Sequence, residues 1–154
     1  MKRKKHNPEE IVKKLRKAEK MQQAGAGVGE VIDVPLGGTR DSGRFQPVTV
    51  KARVKSLHDG EFAYEDGTLA NAGRVAVLVS GTIHILATER SVYVVGKRVF
   101  QAHGLEPADF DLVVVKSPNG FRTWYESIAG KIVSVDVPGS TSANLHSLPF
   151  VNCP

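Results

Sequence analysis

Residues 48–55 read Val-Thr-Val-Lys-Ala-Arg-Val-Lys, apolar and polar side chains alternating without a break. A period of two fits a β-strand with one buried face and fits no helix. The same grammar continues along the chain. Asp59-Gly60 is a turn signal, and Phe62 and Tyr64 alternate beyond it. The unbroken apolar run Val75–Val79 predicts a buried strand, and Ser80-Gly81 turns it into a partner at Thr82–Thr88. Ser91–Val95, Leu112–Val115 and Ile132–Val135 predict three further short strands. Lys97–His103, closed by Gly104, predicts a short helix. A second helix is predicted for Phe121–Ala129, where Phe121, Trp124, Tyr125, Ile128 and Ala129 recur at helical spacing. From Pro138-Gly139 to Leu145 the composition is that of a loop. Strands first, then helices interleaved with short strands, predict an α+β fold: a β-rich domain with a mixed sheet and about two covering helices.

The first 24 residues follow a different pattern. Asn7, Pro8 and Glu10 form a helix-start signature, and Ile11, Leu15 and Ala18 make an apolar stripe at helical spacing. Nine basic and three acidic residues give this segment a net charge of +6. The other 130 residues hold twelve bases and thirteen acids, a net of −1, so the chain's +5 belongs to its start. The expected organisation is a basic helical arm at 1–24, a Gly-rich linker at 25–30 and a domain from 31 to 154. Arg3, Lys4, Lys5, Lys13, Lys14, Arg16 and Lys17 are the candidates for contact with nucleic-acid phosphates.

Chemical motifs are sparse. One cysteine, Cys153, supports neither a disulfide framework nor a Cys-based zinc site. The five histidines make no H-x-H or H-E-x-x-H pair, so no metal ligands are assigned. His84 reads as a packed or solvent-facing strand residue. There is no P-loop and no G-x-S-x-G elbow. Gly25, Gly27 and Gly29 precede a strand instead of following one, which fits a linker and not a dinucleotide fingerprint. No apolar run approaches the roughly 20 residues of a membrane span, and no apolar stretch follows the basic start as a secretory signal would require. The expected compartment is the cytoplasm, with no membrane partner.

Three polar clusters remain. Gly37-Gly38, with Asp41, lets backbone approach a ligand or another domain closely, or forms a plain surface loop. Lys116-Ser117 and Phe121-Arg122 bracket a strand-to-helix turn. That turn either holds an anion between Lys116 and Arg122 or is a capped turn with solvated charges. Asp136-Val137-Pro138-Gly139 reads as a structural turn.

Leu36-Gly37-Gly38-Thr39-x-Asp41, Pro47-Val48-Thr49-Val50, Leu57-x-Asp59-Gly60-x-Phe62, Val113-Val114-Val115-Lys116-Ser117, Phe121-Arg122, Ile128-Ala129 and Val135-Asp136-x-Pro138-Gly139 occur in order, followed by Leu148-Pro149-Phe150. This series resembles the C-terminal domain of the microcystinase C (MlrC) family of metallopeptidases. In that family the zinc ligands and catalytic carboxylate lie in a larger N-terminal domain. The resemblance therefore implies a detached domain, non-catalytic by itself, with no cofactor of its own. A separately encoded zinc-bearing domain is the implied partner. Gly37, Gly38, Asp41, Lys116, Ser117, Phe121 and Arg122 are the implied cleft-lining residues. The family has His where this chain has Gly120, and its pattern runs on past Pro154, so the domain reads as truncated at its end.

Residues 2–19, with Gly27-Val28-x-Glu30-Val31, resemble the start of a small OrfA-type insertion-sequence transposase protein. That implies a fusion joined near residues 25–35 and, as the alternative function, weak sequence-independent DNA binding by the basic helix. A remnant with no selected role is a third reading. Apolar surface left by an absent half predicts self-association.

Overall fold

The computed structural model describes residues 26–38, 43, 45–117 and 119–135. The basic arm, Asp41 and the segment from Asp136 onward lie outside the described residues. The chain divides into two compact units: residues 1–60 with 72–91, and residues 61–71 with 92–154.

The first unit is built on a four-stranded sheet. Its strands are β1 (Val31–Leu36), β2 (Val48–His58), β5 (Val75–Ser80) and β6 (Ile83–Thr88), in the order β1-β2-β5-β6. The alternating run at 48–55 is the inner strand β2. Val54 and Ala52 are buried while Lys51, Arg53 and Lys55 are exposed, as a one-sided strand requires. Leu78, Val34, Ala52 and Val54 form the core cluster, with Ile32, Leu36, Val50, Ile85 and Ala87 packed around them. Pro35 donates no ladder hydrogen bond and sits on β1, an edge strand, where that omission is tolerated. Register shifts between Val54 and Ser56, leaving Lys55 as the extra residue of a bulge. Ser80 pairs with Ile83 across the two-residue loop Gly81-Thr82. Gly81 carries a positive φ of 59° and Thr82 does not, the II′ hairpin pattern.

The Asp59-Gly60 turn is present but closes no hairpin with the strand after it. β2 pairs with β5, and β3 (Glu61–Ala63) pairs instead with β4 (Leu69–Asn71) in the second unit. Gly60 has φ of 73°, and a Cβ there would overlap the Gly73 carbonyl oxygen and lie 2.8 Å from Val75 Cγ2. Only glycine fits this corner.

The second unit contains the β3–β4 hairpin and two one-turn helices, α1 (Arg98–Gln101) and α2 (Arg122–Tyr125), with a 3-10 turn at Pro107–Asp109 between them. Both helices are shorter than the expected Lys97–His103 and Phe121–Ala129, and the turns that follow α1 close at Gly104. Leu105 N–H reaches Phe100 O at 3.0 Å and Gly104 N–H reaches Gln101 O at 3.1 Å, a Schellman closure.

Several expectations need correction. Every strand pairing among the described residues is antiparallel, so the mixed sheet is not seen there. Ser91–Val95, Leu112–Val115 and Ile132–Val135 form no strand and join no ladder. Their β-branched composition favours a strand only where a neighbouring strand exists to pair with. Leu112, Val114, Val133 and Val135 consequently stand 66–80% exposed.

Candidate functional site

The residues named from sequence fall on both units. Gly37 and Gly38 lie in the connection between β1 and β2, in the first unit. Both have positive φ, 71° and 66°. The close approach that the glycine pair permits is to the chain itself. A Cβ on Gly38 would overlap the Pro47 nitrogen and lie 2.6 Å from the Gln46 carbonyl carbon.

Lys116, Ser117, Phe121 and Arg122 belong to the second unit. Lys116 is exposed, and Ser117 and Phe121 are half-buried. The Arg122 guanidinium lies over the Phe121 ring at 5.4 Å and pairs with Glu126 Oε1 at 3.2 Å. Its backbone N–H donates to Asn119 O at 3.1 Å, closing the turn. The arginine is engaged by its own neighbours, and no side chain caps the start of α2. The ion pair is open to solvent, and a pair of this kind contributes at most ~1 kcal/mol. A Cβ on Gly120 would sit 3.0 Å from Val95 Cγ1, so a larger side chain there must displace Val95.

A more constructed arrangement lies elsewhere in the second unit. The Tyr125 hydroxyl donates to the Gly96 carbonyl oxygen at 3.0 Å. Burial, then the negative charges of Glu65 and Glu106, push its pKa up to about 12. Glu65 Oε1 accepts the Arg98 backbone N–H at 2.8 Å, satisfying an amide at the start of α1. Gly96 passes directly against that carboxylate, where a Cβ would overlap it. His103, 2% exposed, donates from Nδ1 to Val99 O at 2.6 Å and meets Phe62 edge-on. Tyr64 stacks edge-on with Phe62, and its hydroxyl oxygen accepts the Tyr93 N–H at 2.9 Å. Sequence reading places Tyr125 on a helical face but assigns no role to Glu65, Gly96 or His103. Their partners are 29 to 33 residues away or lie within a helix turn, and no local motif marks them.

In the first unit, His84 on β6 has its pKa lowered by burial and then by the positive charges of Lys55 and Arg53. It is a strand residue, as expected from sequence. Arg74 and Glu89 form a two-point pair at 3.1 and 3.2 Å, holding the Glu89 carboxyl below its ordinary range. Among the described residues no three His, Cys, Asp or Glu side chains converge, so these residues offer no donor set that fits a zinc ion. No helix among them is long and apolar enough to cross a membrane.

Residues 14–152 match the family model described as the MlrC C-terminus. The match begins at residue 14, inside residues 2–19, the segment for which sequence alone gives the transposase expectation. Microcystinase C from Sphingomonas sp is 24% identical over 110 residues, covering 71% of this chain and 22% of that protein. The crystal structure of a protein named "Putative metallopeptidase" from Mesorhizobium sp. BNC1 aligns with a TM-score of 0.70 and 25% identity, over 86% of this chain and 27% of that one. The chain spans about a fifth of the curated relative's length. A match running through nearly all of the sequence establishes that this chain belongs to the MlrC C-terminal family.

Proposed function

We propose that this chain acts as a detached MlrC C-terminal domain, non-catalytic alone, that serves as an accessory domain to a separately encoded zinc-bearing polypeptide. The observation that carries this reading is the family match itself, which is to the C-terminal domain of the MlrC proteins. The family match covers residues 14–152, while the chain corresponds to only 22% and 27% of its relatives. Peptide hydrolysis of the metallopeptidase kind requires an ion to activate water. The described residues bring together no ligand set for one. The exposed aliphatic side chains of Leu112, Val114, Val133 and Val135 offer apolar surface for a partner. Purified chain supplied with zinc should release no product from linear peptides. Zinc-dependent cleavage by the chain alone would overturn the reading.

A second reading rests on the nine basic residues among the first 24, which suit weak, sequence-independent attraction to nucleic-acid phosphates. Retention on DNA should fall steeply with salt. It should disappear when Arg3, Lys4, Lys5, Lys13, Lys14, Arg16 and Lys17 are replaced by Gln. Retention that survives those replacements places the nucleic-acid surface elsewhere.

A further inference from the structure

The second unit contains a depression of about 290 Å³ lined by Glu65, Lys97, Arg98, Gln101 and Trp124. Its walls are held by the contacts described above. Glu65 is tied to the Arg98 amide, and Gly96 is tied to the buried Tyr125, the neighbour of Trp124 on α2. Gln101 is turned toward Glu106, donating from Nε2 at 2.8 Å. The ion pairs among the described residues join Arg74 to Glu89 and Arg122 to Glu126, and neither Lys97 nor Arg98 takes part in one. Two cationic residues, one tryptophan and one carboxylate, the last bound to the Arg98 amide, therefore line one concavity.

We propose that this depression binds a monocarboxylate carried beside an apolar or aromatic group, the chemistry of a peptide C-terminus. The Arg98 guanidinium matches a carboxylate with two parallel N–H donors, and the Lys97 ammonium adds a point charge. The Trp124 indole supplies a large apolar surface for the adjoining group. Glu65 sets the charge limit. The lining's net charge of +1 is neutralised by a singly charged anion, and inorganic phosphate, with no apolar group, leaves the indole surface unused. This site does not depend on the accessory-domain reading.

Trp124 is the one tryptophan in the chain, so its fluorescence reports on this depression alone. The full chain is titrated with N-acetylphenylalanine, with its uncharged amide and with inorganic phosphate. A saturable change is expected with the acid. Binding of the amide should be roughly tenfold weaker, as loss of a charge-assisted contact implies. Phosphate should bind more weakly than the acid. Replacing both cations, Lys97→Gln with Arg98→Gln, should produce the same loss as the amide while leaving the circular dichroism unchanged. Equal responses to acid and amide, tighter binding of phosphate, or no saturable change with the acid would each overturn the proposal.

Discussion

Tyr125 shows what one side chain does in the second unit. It is 5% exposed, and its hydroxyl is satisfied by a carbonyl 29 residues earlier. Tyr125→Phe removes that hydrogen bond and leaves the Gly96 carbonyl unpaired, a cost of about 1–2 kcal/mol by urea denaturation. The hydroxyl's pKa also links stability to pH. It is about 12 in the folded chain against 10.0 as the ordinary value, so folding disfavours the ionised form. The contribution is whole below pH 10 and is lost as pH rises toward 12. Wild type should therefore lose stability more steeply than Tyr125→Phe across this window. Parallel curves would contradict the assigned burial. The tyrosine is legible in the sequence as one member of a helical stripe. Its partner is not, because Gly96 carries no side chain to signal a contact. Gly38 is legible as a site of close backbone approach, but the approaching group is Pro47 of the same chain.

At the scale of elements, the legible strands are those that find neighbours. Period-two alternation locates β2, and the apolar run at 75–79 locates β5. These two strands carry the core: Leu78 is 0% exposed and Val54 and Ala52 are 1–2% exposed. Leu78→Ala should destabilise the chain by about 2–5 kcal/mol, read as a lowered denaturant midpoint. A loss comparable to that of a surface substitution would mean that this cluster is not the core. Leu112–Val115 carries equally strong β-branched composition and forms no strand. Composition states a preference for a pleated surface, but pairing requires an available edge, and no local sequence records whether one exists. The Asp59-Gly60 turn teaches the same lesson. Its chemistry identifies a sharp corner correctly, while the choice of strand pairing is made by β5, which lies 15 residues downstream of Gly60.

At the scale of the whole molecule, the net charge of +5 is a property of the first 24 residues and says little about the sheet or the helices. Family membership carries more, and the ordered motifs make it legible in the sequence itself. What the motifs leave open is the site. The implied cleft residues Lys116 and Arg122 lie at a turn whose arginine is engaged by Phe121 and Glu126. As proposed above, this chain is non-catalytic alone and holds no zinc of its own. Zinc content of the purified, dialysed full chain tests that proposal most directly. The account predicts no stoichiometric zinc, and one zinc bound per chain after dialysis would contradict it.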